Sequence, residues 1–410
     1  ARWDKLKIFE KSIDPQKPRY SFYDGPPFAT GLPHYGHILA SALKDIVPRY
    51  WTMRGFQVER RWGWDCHGVP IEQEIDKKFQ FKSGEEIEKF GIARYNEECR
   101  NIVLRFVSEW QKTINRMGRW ADFQNDYKTM DRNFMESVWW VISQLWEKGL
   151  IYRGHKVMRF STALGTPLSN FEAGLNYQDV QDPAITVTLP LKADPSTAFL
   201  AWTTTPWTLP SNLALAVGPD IDYVTVEDDA HPGKKFILAE ALVEKFFKKG
   251  TYRVIETKKG QALAGTEYIP LFEFFSDRKK PAFSVLVAEH VTTEDGTGIV
   301  HTAPGFGEED YEAGKAAGIK PVSPVDNFGK FTKEVPTYAG MYVKDADKKI
   351  ISDLKSLGRL FKQDTIQHSY PFCYRTDTPL ISKTASSWFV KVESIRDRLV
   401  ANNIKHTHWV

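Results

Sequence analysis

Two histidines three residues apart, His34 and His37, close a proline- and glycine-rich run in DGPPFATGLPHYGHILA, residues 24–40. On a helix that spacing puts both rings on one face of the opening turn. Gly36 between them removes a side chain where a ligand would approach the backbone. A helix N-terminus after a strand offers unpaired amides and the positive end of the dipole to a phosphate. Two imidazoles added there would hydrogen-bond a phosphate as charge builds in a transition state. A packed histidine pair, or half of a metal site, meets the same spacing.

A second set lies farther along. AWTTTPWTLPSNLALAV (201–217) holds Thr203, Thr204 and Thr205 in succession and then Asn212, a dense hydroxyl and amide surface that β propensity alone would also produce. GTGIVHTAPGFGEEDYEAG (296–314) surrounds His301 with Gly296, Gly298, Gly305 and Gly307, which keep the backbone open, and Asp310 follows nine residues after the histidine. His301 reads as a core histidine or a catalytic group. Between the two sets, RRWGWDCHGVPIEQEIDKK (60–78) contains Asp65, a solvated loop carboxylate or a charge-holding one. Cys66 and His67 have no partners at metal-ligand or nucleophile spacing and read as structural.

The elements that must hold these residues follow from pattern. RYSFYDG (19–25) has strand composition. From Gly36 to about Arg54 the apolar stripe Leu39, Leu43, Ile46 or Val47, and Tyr50 predicts a helix, with Pro48 a kink. FQVERRWGWD (56–65) returns as a strand, completing a β-α-β crossover of the doubly wound kind. Helices follow from GEEIEKFG to SVWWVISQLWEKG, each with a glycine as C-cap. Near Pro183 the texture becomes β: 185–191, 197–205, 223–228, 252–258 and 283–291 are β-branched or alternating runs. SYPFCYRTDTPLI continues extended, and a short helix is expected from about Val392 to Asn403. The expected domains are 1–178, the first half of a nucleotide-binding domain with a helical segment; 179–366, a mostly β insertion; and 367–410, a return segment.

At 410 residues the chain is too long for one ordinary core, so two or three domains are expected. With 42% hydrophobic and 26% charged residues it is not disordered, collagen-like or of low complexity. No run of about 18 apolar residues is present, so no helical membrane span is expected. The charged start ARWDKLKIFEKS is unlike a signal peptide and has no initiator Met, and the final THWV has no stop signal; both ends read as cut. Net charge is +3, from 55 Lys plus Arg against 52 Asp plus Glu, which neither demands nor excludes nucleic acid. Cys66, Cys99 and Cys373 lie far apart and make no disulfide framework, as suits a reducing cytosol.

The string His-x-Gly-His after a Pro/Gly loop at the first crossover resembles the signature of class I aminoacyl-tRNA synthetases. Trp64-Asp65-Cys66-His67-Gly68-Val69-Pro70-Ile71-Glu72 and Thr203-Thr204-Thr205-Pro206-Trp207-Thr208-Leu209-Pro210-Ser211-Asn212 are similar to the isoleucyl branch rather than the valyl or leucyl ones, and Tyr35 resembles its eukaryotic type. The resemblance covers essentially the whole chain. It implies a Rossmann-like α/β first half with an inserted β editing domain. His34, Gly36 and His37 would bind ATP, the two histidines steadying its phosphates during adenylate formation. Gly25 and Pro26 would lie against the amino acid, and Asp65 would hold its ammonium group. In the insertion, Asp310 would hold the ammonium of a misattached amino acid, Thr203, Thr204 and Thr205 would shape the pocket, and Asn212 and His301 would line it. The implied partners are isoleucine tRNA, isoleucine, valine and ATP, with Mg²⁺ carried by the phosphates; a multi-synthetase assembly is open, a membrane is not, and the compartment is the cytoplasm. A valyl or leucyl sibling, a freestanding deacylase and a non-catalytic tRNA-binding relative are the rival readings.

The chain departs from that pattern twice. No Lys-Met-Ser-Lys-Ser loop occurs, and ISKTAS (381–386) lacks its pattern, so adenylate formation is not expected of this chain. Some members bind zinc through paired Cys-x-x-Cys; here Cys373-Tyr374-Arg375-Thr376 lacks the second ligand, and no structural zinc is expected.

Overall fold

The computed structural model describes residues 2–81 and 84–408, so Ala1 and the last two residues of THWV lie outside the described residues. The chain folds as two compact units, residues 1–152 with 390–410, and residues 153–389.

In the first unit, the helix Tyr35–Met53 begins where His34, in extended backbone, caps it, and it runs 19 residues straight through Pro48. Pro48 lies inside the helix as expected, and its carbonyl accepts from the Thr52 hydroxyl at 2.7 Å and from Arg60 Nη2 at 3.0 Å. The apolar stripe is not a buried face here. Leu39, Leu43, Ile46 and Tyr50 are 64%, 47%, 61% and 50% exposed, while Ser41 and Pro48 are the residues buried. Periodicity reports that a face is apolar and leaves open what covers it.

The expected strand at 19–25 does not form. Within it only Arg19 makes a bridge, parallel to Gln57; the next, Phe28–Asp65, lies beyond it. The return strand is Arg61–Trp64, parallel to Asp122–Lys128. Helix-flanked parallel pairing survives in this thinner form. Beneath it, Trp62, Trp64, Trp110, Ile71 and Ile114 form one core cluster with Ala29 and Val103. Two of the indoles donate inside it: Trp64 to Asp126 Oδ2 and Trp110 to the Gly31 carbonyl, both at 2.8 Å.

The second unit is built on a nine-stranded mixed sheet. The strand Thr197–Thr203 pairs antiparallel with Tyr177–Pro190 and parallel with Lys235–Ala239, and touches Ile299–Thr302 through Val300 and Trp202. Ile299–Thr302 in turn pairs antiparallel with Ala214–Val217, placing His301 opposite Leu215. Tyr177–Pro190 also pairs along its length with Leu360–Pro371, across sequence positions 178 and 366. The expected strand 197–205 stops at Thr203. Pro206 disfavours continuation, and Pro206–Ser211 forms a 3₁₀ turn. Two other strands, Asp222–Asp228 and Tyr252–Lys259, fall where the pattern places them, and Ser284–Val287 is shorter than expected. The helices Glu308–Ala316 and Val343–Ser356 complete the parts that matter for the site.

Candidate functional site

Where Thr197–Thr203 ends beside Ile299–Thr302, the second unit encloses a cavity of about 420 Å³. Thr203, Thr204, Thr205, Thr208, His301 and Phe306 line it together with Asp310, which comes from helix Glu308–Ala316. Sheet order thus brings together two strings about 90 residues apart.

His301 is 7% exposed and its two ring nitrogens are both engaged. Asn212 Nδ2 donates to the Ala214 carbonyl at 2.9 Å, which only accepts, so this atom is the amide nitrogen; its second hydrogen goes to His301 Nδ1 at 2.8 Å. Tyr268 fixes the other end of the amide, its hydroxyl donating to Asn212 Oδ1 at 2.6 Å. His301 Nδ1 is therefore an acceptor, and Nε2 carries the hydrogen, donating to Thr208 Oγ1 at 3.0 Å. Thr208 in turn donates to the Thr205 carbonyl at 2.8 Å. Burial pushes the His301 pKa down to about 3, so the ring is neutral. With no free lone pair, it is a fixed wall rather than a base for water.

The threonines form a short chain: Thr205 N donates to Thr203 Oγ1 at 3.1 Å, and the Thr205 hydroxyl lies 3.3 Å from both Thr203 Oγ1 and Thr208 Oγ1. Asp310 receives the Ala303 amide at 2.9 Å. Burial raises its pKa to about 6 despite that amide and His290 nearby, so near neutrality it is an anion short of partners. Such a carboxylate in a cavity lining suits an ammonium group.

The glycines work by close approach rather than by leaving space open. A Cβ at Gly305 would lie 1.9 Å from the Val322 carbonyl oxygen, and one at Gly307 would lie 2.7 Å from the Asp310 carboxylate. Two residues that hold the cavity wall, Thr208 and Tyr268, escape a reading of the sequence. Thr208 stands within the threonine-rich string beside its more conspicuous neighbours, whereas Tyr268 carries no local signal at all.

In the first unit the two histidines meet. Their rings stack with centroids 3.6 Å apart, and His37 also packs on Trp110. The Gly36 amide donates to His34 Nδ1 at 3.1 Å and the His34 amide to His37 Nδ1 at 3.3 Å. Both Nδ1 atoms thus accept, which leaves each Nε2 with the proton and, among the described residues, without a protein partner. Burial, His34 and Lys44 lower the His37 pKa, favouring the neutral ring. A Cβ at Gly36 would sit 3.0 Å from the His34 ring, so this glycine first makes room for the ring that folds back over it. Asp65 lies beside the Pro/Gly loop: its amide donates to the Pro27 carbonyl at 2.9 Å, and Thr129 bridges its carboxylate (3.4 Å) and the Cys66 amide (2.8 Å). Gly25 is exposed with nothing near a would-be Cβ, and its carbonyl faces Lys44 Nζ at 3.4 Å. Pro26, next in the loop, is half-buried.

Cys66 and Cys373 are buried free thiols. The turn after Cys373 is closed by Thr376 and Thr378, whose hydroxyls lie 2.8 Å apart. One thiol among threonines does not fit a zinc site, and among the described residues no group of three His, Cys, Asp or Glu could hold a metal ion. No helix among them is long and apolar enough to cross a membrane.

Residues 1–410 match the family of tRNA synthetases class I (I, L, M and V). The chain belongs to that family. Among its relatives is the isoleucine–tRNA ligase of Bdellovibrio bacteriovorus, 60% identical over 412 residues, covering 100% of this chain and 39% of that protein. The isoleucine–tRNA ligase of Protochlamydia amoebophila is 55% identical, covering 99% of this chain and 39% of the relative. The cytoplasmic isoleucine–tRNA ligase of Mus musculus is 55% identical over 417 residues, covering 100% of this chain and 33% of its own length. The chain spans between a third and two fifths of the length of these relatives.

Proposed function

We propose that this synthetase chain is the part of an isoleucine–tRNA ligase that holds the first nucleotide signature and a hydrolytic editing pocket, with 179–366 as the inserted editing domain. The observation that carries the reading is a cavity lined together by an under-partnered Asp310, a hydrogen-bonded run of threonines and a neutral His301. An ester of an amino acid on a tRNA 3′ end presents an ammonium, a side chain and a carbonyl. Asp310 takes the first, the His301 wall limits the second, and Thr203, Thr204 and Thr205 face the carbonyl or the terminal ribose. Editing is needed because one methylene in an apolar pocket discriminates by only about 1–3 kcal/mol, a general figure for which isoleucine against valine is itself the standard example. With His301 committed and Asp310 occupied by the ammonium, water attacks with help from the tRNA's own vicinal hydroxyl, the protein supplying position.

In the same reading, His34 and His37 offer their two Nε2 hydrogens to the phosphates of ATP beside Gly36, with Mg²⁺ arriving on those phosphates. Gly25, Pro26 and Asp65 contact isoleucine. The compartment is the cytoplasm and the nucleic-acid partner is isoleucine tRNA. Without a Lys-Met-Ser-Lys-Ser loop the chain should show no robust ATP–pyrophosphate exchange.

The decisive experiment offers this chain valyl-tRNA and isoleucyl-tRNA, both on isoleucine tRNA. Selective release of valine is expected. Equal release of both, or of neither, overturns the editing assignment for the chain.

A further inference from the structure

The 3₁₀ turn Pro206–Ser211 carries Thr208, and its flanking residue Thr205 is the natural N-cap. An N-cap threonine ordinarily spends its hydroxyl on the first free amides of the turn. Thr205 does not: its side chain makes no cap bond, and its hydroxyl lies in the Thr203–Thr205–Thr208 chain facing the cavity. Pro206 has no amide, so the first N–H that needs a partner belongs to Trp207. That partner comes from 140 residues away: Asp347 Oδ1 on helix Val343–Ser356 accepts the Trp207 amide at 2.8 Å. Asp347 is 5% exposed and Trp207 2%, so the bond is shielded from water. The Trp207 indole packs edge-on against Phe306, ring centroids 4.9 Å apart, which ties the turn to the Ala303–Gly307 loop that leads to Asp310.

We propose that Asp347 is a positioning residue of the cavity, capping the Pro206–Ser211 turn in place of Thr205 and so releasing the Thr205 hydroxyl to line the site. The functional half of this proposal rests on the editing reading; the cap itself does not. Asp347 touches no part of the substrate. It acts through Trp207 on Thr205 and Thr208, and through Thr208 on the orientation of His301.

A carboxylate in this place has a competing explanation as a counter-ion. The neighbouring cation, Lys344, already pairs with Asp182 at 2.9 Å, and His368 shares that same carboxylate at 3.1 Å. Burial raises the Asp347 pKa to about 7, with Lys344 opposing and Asp182 adding to the rise. Charged or neutral, the group keeps an oxygen for the Trp207 amide, so a cap needs the acceptor and not the charge.

Asp347→Asn and Asp347→Ala separate the two roles. In valyl-tRNA deacylation by this chain, Asp347→Ala should lower kcat about 3- to 30-fold, the range a lost cap commands, and relax the preference for valine over isoleucine. KM should move less, since Asp310 is untouched. Asp347→Asn should stay within about twofold of the parent in both respects. Hydrogen exchange of the Trp207 amide supplies a readout independent of activity: protected in the parent and in Asp347→Asn, faster in Asp347→Ala. If Asp347→Ala does not fold, Asp347→Ser, whose shorter side chain draws the acceptor back from the amide, takes its place. Equal damage by Asn and Ala would mean a counter-ion and overturn the proposal, as would unchanged Trp207 exchange in Asp347→Ala. Should the parent release no valine, the editing reading falls while the exchange measurement still decides the cap.

Discussion

The two units each place histidine in their candidate site and hold it in opposite ways. His34 and His37 are tied down through Nδ1 by backbone amides of their own helix start, which leaves both Nε2 atoms free for a ligand. His301 is tied down through both nitrogens by Thr208 of the Pro206–Ser211 turn and Asn212 just after it, which leaves none. Residue type therefore does not say whether an imidazole can do chemistry; the count of its unspent hydrogen-bonding sites does. The acids differ in another way. The Asp65 carboxylate takes only a long contact from the Thr129 hydroxyl at 3.4 Å, whereas the half-buried Asp310 carboxylate accepts the Ala303 amide at 2.9 Å and is still pushed up to about 6 by desolvation.

The largest test of that contrast is Asp310→Ala. Losing a charge-assisted contact to an ammonium is worth about 1.5–3 kcal/mol, so valyl-tRNA deacylation should fall about 10- to 150-fold, and an unchanged rate sinks the ammonium assignment. The same residue sets a pH dependence. Its pKa stands near 6 in the free protein, so ammonium binding is present above that value and should weaken as pH falls through about 6, visible as a rising KM.

Next in size is His37→Ala in a full-length relative carrying this sequence. If its Nε2 hydrogen serves a phosphate, pyrophosphate exchange should drop about 10- to 100-fold while deacylation of valyl-tRNA stays the same. A matching loss of deacylation would mean the two histidine sites are not separate in function.

His301→Ala should do something different in kind. Removal of a fixed wall should raise hydrolysis of correctly charged isoleucyl-tRNA about tenfold while valyl-tRNA hydrolysis stays within about threefold. A collapse of valyl-tRNA hydrolysis would instead make His301 catalytic and erase the contrast between the units. The smallest effect is expected of Gly307→Ala, whose Cβ would crowd the Asp310 carboxylate at 2.7 Å; a KM rise of a few-fold without loss of kcat is the expected sign.

Much of the architecture was legible without coordinates. The helix starting at His34, the return strand ending near Asp65 and the β texture beyond Pro183 all follow from period, composition and proline. The failures are informative too. The strand at 19–25 dwindles to a single bridge at Arg19, since strand formation needs a partner along its length that composition does not report. The stripe Leu39, Leu43, Ile46 and Tyr50 is apolar yet exposed in the described chain. Thr204 and Thr205 leave the strand because Pro206 follows, a signal that was present in the sequence and outweighed by β propensity.

By itself the sequence determined which groups are present and their near neighbours: a histidine pair at a helix start, a run of threonines before a proline, an aspartate a few residues behind two glycines. Those are relations over a few residues, where backbone geometry is nearly fixed by local chemistry. Only the tertiary structure decided what each group is free to do. The tautomer of His301 depends on Asn212, Tyr268 and Thr208, and the freedom of the Thr205 hydroxyl depends on the bond from Trp207 to Asp347. These hydrogen bonds join residues 56 to 140 positions apart. Hydrogen-bond valence is saturated by whatever folding brings within about 3 Å, and no local pattern encodes that distance.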